Sequence, residues 1–149
     1  MKSSPLDILL IEDDENDVFF MRRAMTKASL APPIHVAVNG QDALDYLRGA
    51  GKYADRATYR LPRCIFLDLK LPFVHGFEVL SWIRDQPALK SMPVLVLTSS
   101  PEEKDRQRAL QLGAAAYLVK PATAQMLTEA LQTLNENLSA LSEREADYH

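Results

Sequence analysis

Apolar residues along this chain fall into five short runs, each closed by polar or turn-forming residues. Leu6 to Ile11 (LDILLI) ends in Glu12-Asp13-Asp14, and Ile34 to Val38 (IHVAV) ends in Asn39-Gly40. Ile65 to Leu67 meets Asp68, Pro93 to Leu97 (PVLVL) meets Thr98-Ser99-Ser100, and Ala115 to Val119 (AAYLV) meets Lys120-Pro121. Such runs, bounded by turn residues, read as strands. Between them the period becomes helical. Val18, Met21, Met25 and Ala28 share one face of a helix expected over 15–28, with acidic residues in its first turn. Asn39 suits the N-cap of a helix carrying Ala43, Leu44 and Leu47, and Gly49 supplies its stop. Gly76 precedes a helix with Val79, Leu80 and Ile83, ended near Gln86-Pro87. Ser100-Pro101-Glu102-Glu103 predicts an N-cap, an N1 proline and a capping-box glutamate for a helix that ends at Gly113. A last helix is expected over 123–141, followed by a charged tail over 142–149.

Strands and helices thus alternate at the spacing of βαβ units. Mainly continuous apolar strands imply a parallel sheet covered on both faces. The expected fold is α/β: a flavodoxin-like, doubly wound, five-stranded parallel sheet of order 2-1-3-4-5. It forms one domain over 1–149, with its core at 6–141. The longest connection, Ala50 to Pro62, carries charge and two tyrosines. Right-handed crossovers put every strand's C-terminal end on one edge. Glu12, Asp13, Asp14, Asp68, Thr98 and Lys120 therefore converge there.

Composition narrows the reading without redirecting it. The 149 residues, 47% hydrophobic and 25% charged, suit one soluble globular domain. A net charge of −3 with no basic cluster argues against nucleic acid. No apolar run is long enough to span a membrane, and Met1 to Leu6 is too short for a secretory core. The lone Cys64 excludes an internal disulfide and fits the cytoplasm. His35, His75 and His149 are scattered and read as non-ligands.

In a 2-1-3-4-5 sheet, ligands bind where strand order reverses, between strands one and three. That juxtaposes Glu12, Asp13 and Asp14 with Asp68. Carboxylates so close cannot all stay ionised without a cation, and an oxygen-only donor set suits Mg²⁺. Lys120 arrives from strand five to face Asp68, and Thr98 adds a hydroxyl from strand four. Metal, lysine, hydroxyl and a carboxylate nucleophile form a cradle for a phosphoryl group transferred to Asp68.

These residues resemble the receiver domains of two-component response regulators, specifically chemotaxis-type single-domain receivers. The match rests on Glu12-Asp13, Asp68, Thr98 and Lys120-Pro121. The resemblance implies Asp68 as phosphoacceptor, with Asp13, Asp68 and the Lys70 carbonyl binding Mg²⁺ directly. Glu12 and Asp14 would act through water or from the second layer around the metal. It also implies that Thr98 bonds the phosphoryl group, that Tyr117 changes burial on activation, and that Lys120–Pro121 is cis. On its own, Tyr117 reads as core beside the sheet. More narrowly, the 50–62 insertion and Asp68-Leu69-Lys70-Leu71-Pro72 resemble small receivers paired with bacterial phytochrome histidine kinases. His75-Gly76 departs from the Asp-Gly pair common in the family. Lys70 and Ser100 occupy positions that tune dephosphorylation there.

The implied function is a phosphorelay switch, not an enzyme with a separate substrate, that receives its phosphate from a sensor histidine kinase and acts through a downstream protein. A haloacid-dehalogenase-type phosphatase needs an acid two residues after its nucleophile, where this chain has Lys70. A nucleotide-binding flavodoxin-like site must receive a phosphate in its first loop, which Glu12-Asp13-Asp14 would repel. A scaffold that is never phosphorylated is a further alternative. Leu127, Leu131, Leu134, Leu138 and Leu141 form a heptad-like seam on the last helix. Either it packs on the sheet alone, or it also contributes a homodimer contact.

Overall fold

The computed structural model describes residues 7–134. Within them lie five strands: β1 (Ile8–Ile11), β2 (Ile34–Ala37), β3 (Cys64–Leu67), β4 (Val94–Thr98) and β5 (Ala116–Val119). All pair in parallel in the order β2-β1-β3-β4-β5, the doubly wound sheet expected from the alternation of elements. Helices α1 (Glu15–Lys27), α2 (Gly40–Arg48), α3 (Gly76–Asp85) and α4 (Glu103–Gln111) intervene, and 124–134 form α5.

Successive strand residues point to opposite faces, which splits the core in two. Leu9, Ile11, Ile65 and Leu67 pack with Leu47 of α2 and Val79, Leu80 and Ile83 of α3. Ile8, Leu10, Phe66 and Leu95 pack on the other face with Met21 and Met25 of α1 and Leu127 and Leu131 of α5. Each such side chain contributes roughly 1.5–3 kcal/mol on burial, so a slip that exchanged the faces would forfeit many such terms at once. Register is thereby fixed. Ile11 pairs with Leu67, so Glu12 and Asp68 leave neighbouring strands at the same level. Thr98 pairs with Val119, which puts Lys120 beside the end of β4.

Side-chain caps set most helix starts. Asp14 accepts from the Asn16 N–H at 2.8 Å and Asn39 from the Asp42 N–H at 2.8 Å. Gly49, at φ +69°, takes the left-handed position that closes α2. Thr123 Oγ1 accepts from Met126 N at 3.1 Å. The exposed His75 caps α3, its Nδ1 accepting from Phe77 N at 3.2 Å. The start of α4 also differs from expectation. Its N-cap is Glu102, not Ser100, and no side chain caps it. Ser100 is drawn elsewhere, its Oγ donating to Asp105 at 2.7 Å and accepting from Glu102 N at 3.3 Å.

The 50–62 connection folds onto α2. Tyr53 is buried and donates to Asp42 at 2.6 Å, while Arg56 donates to the carbonyls of Leu47 and Tyr59 at 2.9 and 2.8 Å. His35 stacks on Tyr46 at 4.4 Å and meets Tyr53 and Tyr59 edge-on. Cys64 is buried. Among the described residues no helix is long and apolar enough to cross a membrane. Leu127, Leu131 and Leu134 of the leucine seam lie in the core. Leu138, Leu141 and the 142–149 tail fall outside the described residues.

Candidate functional site

At the C-terminal edge of the sheet, Lys120 is the hub. Its Nζ donates to Glu12 Oε1 at 2.6 Å, to Asp17 Oδ2 at 2.7 Å and to Asp68 Oδ2 at 3.3 Å. Glu12 and Asp68 follow β1 and β3, Lys120 follows β5, and Asp17 stands in the first turn of α1. Glu12, Asp13 and Asp68 each offer an oxygen, and the three lie within 4.8 Å of one another. Glu12 and Asp68 are buried whereas Asp13 is exposed, so the group opens to solvent on one side.

Burial raises the Glu12 carboxyl to about 7; the Lys120 hydrogen bond opposes this and the charge of Asp68 adds to it. For Lys120, burial disfavours the ammonium, but the hydrogen bonds it donates to Asp17 and Glu12 and the charge of Asp68 outweigh it. The net result holds Lys120 above the usual lysine value. One ammonium cannot satisfy this many carboxylates in a half-desolvated space, so the cluster has room in its charge balance for a cation. Three carboxylates with no nitrogen or sulfur donor fit a hard divalent ion.

The remaining residues of interest surround this group. Asp68 Oδ1 accepts from Lys70 N at 3.2 Å, which folds the following turn over the carboxylate. Thr98 is fully buried, its Oγ1 accepting from Ser100 N at 3.3 Å and its carbonyl from Lys120 N at 2.8 Å. Tyr117 donates to the Ser100 carbonyl at 2.7 Å. Burial raises its phenol, against the pull of that hydrogen bond. The Lys120–Pro121 peptide is cis. Asp14 stands apart from the three-carboxylate group. Its side chain caps α1, and it reaches the site only through its N–H, which donates to Glu12 Oε2 at 3.2 Å.

Asp17 was not singled out from sequence, because an acid in a helix's first turn already has an explanation in the helix dipole. Its partner Lys120 lies 103 residues away in sequence, so local patterning held no signal for it.

A family model described as the response regulator receiver domain matches residues 8–132. The chain belongs to that family. Among curated relatives, this receiver is 36% identical over 135 residues to the probable methanogenesis regulatory protein FilR2 of Methanothrix harundinacea, covering 89% of the chain and 83% of that protein. It is 34% identical over 116 residues to response regulator Rcp1 of Synechocystis sp., covering 78% and 77%. The solved Mn²⁺-bound form of Rcp1 superposes with a TM-score of 0.72 at 31% identity, covering 85% of this chain and 89% of that one. The bacteriophytochrome response regulator AtBRR superposes with a TM-score of 0.78 at 40% identity, covering 90% and 94%. Receivers of phytochrome systems are therefore among its structural relatives.

Proposed function

We propose that this receiver accepts a phosphoryl group on Asp68 from a sensor histidine kinase, in a Mg²⁺-dependent reaction, and signals through changed protein contacts. The observation that carries this is the Lys120 ammonium shared between Glu12 and Asp68 at the reversal of strand order. An Asp68 oxygen attacks the phosphorus of the donor phosphohistidine. The P–N bond breaks, and its electron pair returns to the imidazole, which takes up a proton. Lys120 donates to an oxygen of the arriving group, and Thr98 supplies a hydroxyl from the next strand end. Mg²⁺, held by Asp13, Asp68 and the Lys70 carbonyl with Glu12 through water, would offset negative charge on the transferred group. Tyr117 is the side chain whose burial would report the change. Beyond its own phosphorylation and dephosphorylation the protein catalyses nothing.

The likeness to the bacteriophytochrome response regulator AtBRR favours a bacterial phytochrome-type kinase as donor, in the cytoplasm, with a separate protein as reader. With Mg²⁺ and a small acyl phosphate, wild type should gain the mass of one phosphoryl group and Asp68→Asn should not. Equal gain by both would reject the assignment, and no gain by wild type would favour an unphosphorylated scaffold.

A further inference from the structure

Lys120 carries three N–H donors, and all three are engaged by carboxylates. The two short contacts, 2.6 Å to Glu12 and 2.7 Å to Asp17, have the length of a strong charge-assisted hydrogen bond. The contact with Asp68, at 3.3 Å, does not. Glu12 and Asp17 thus draw the ammonium away from the very carboxylate it is needed beside.

For Lys120 to close on a phosphoryl oxygen at Asp68, one short contact must lengthen. The Glu12 side chain is 3% exposed, and leaving it without its cation would strand a buried acid. The Asp17 side chain is 33% exposed and can return to water. Asp17 is therefore the partner released at lower cost. We propose that Asp17 is a positioning residue that holds Lys120 off Asp68 in the resting receiver and gives the lysine up when the phosphoryl group arrives. Because Asp17 stands in the first turn of α1, the exchange also frees a tie between that helix and the site. This rests on the assignment of Asp68 as phosphoacceptor.

A contact present at rest and lost in the phosphorylated state opposes phosphorylation, so removing it must favour that state. The test uses beryllofluoride, a phosphoryl mimic, at saturating Mg²⁺. Asp17→Asn should bind it about two- to fivefold more tightly than wild type, the range set by a partly exposed ion pair. Asp17→Glu, which restores the carboxylate, should return towards the wild-type affinity. Glu15→Gln removes an equal charge from the same helical turn, at an exposed position, and should shift affinity less than Asp17→Asn. Unchanged or weaker binding by Asp17→Asn would overturn the proposal, since a contact that must be given up on binding opposes it. Equal shifts in Asp17→Asn and Glu15→Gln would also overturn it, as a general charge effect. Failure of wild type to bind the mimic would instead bring down the phosphoacceptor assignment and this proposal with it.

Discussion

His35 sits within a cage of tyrosines, stacked on Tyr46, with its Nε2 buried and, among the described residues, without a hydrogen-bond partner. Burial lowers its pKa; the charge of Asp42 opposes this and that of Lys52 adds to it. A depressed histidine pKa contributes stability above the unfolded value near 6.5 and loses it as pH falls through the folded value. Glu12 acts in the opposite sense, since its raised value favours the fold at low pH. The two are separated by comparing variants. In urea unfolding at pH 7.5 and pH 5, His35→Phe should lose less stability on acidification than wild type. A loss equal to or greater than that of wild type would count against a neutral, buried His35.

The turn from β3 to α3 shows how tightly an element can be tied to the site. A Cβ built at Gly76 would lie 2.5 Å from Leu69 Cα and 2.6 Å from the Asp68 carbonyl oxygen, both backbone atoms that cannot swing aside. Gly76→Ala should cost about 1–3 kcal/mol by overpacking. It should also slow Asp68 modification, because the displaced backbone carries the acceptor. Chemical denaturation and phosphorylation rate would both be measured, and a variant normal in both would refute the argument.

What could be read from sequence follows from where each signal lies. The apolar runs and the acids, hydroxyl and lysine that end them were legible because a parallel sheet carries every strand end to one edge. Asn39 and Gly49 were legible because caps are local. Ser100 misled, since its preference for capping lost to Asp105, five residues on. Asp17 and the 50–62 segment were opaque for a different reason. Their roles depend on partners distant in sequence, as with Tyr46 donating to the Arg60 carbonyl at 2.8 Å and Arg60 to Asp7 at 3.1 Å. Local patterning carries no record of such pairs.

For the molecule as a whole, the leucine seam decides less than its spacing suggested. Leu127, Leu131 and Leu134 are in the core, so they are not free to meet a second copy. A homodimer would have to use the seam beyond 134 or other surfaces. We expect sedimentation at tens of micromolar to show a dimer. A monomer both with and without phosphodonor would exclude it.

The carboxylates and the lysine that balances them come from positions 12, 13, 68 and 120, so the unfolded chain holds no such site. Filling the site would therefore favour the folded chain. A divalent ion at a hundred times its dissociation constant adds about 2.7 kcal/mol to the folded state by mass action. The thermal midpoint should climb with the logarithm of Mg²⁺ concentration in wild type and stay nearly flat in Asp13→Asn. An equal climb in both would place the ion elsewhere. Free magnesium in the cell would then act as a standing ligand on the fold, setting how often the receiver is whole enough to be addressed.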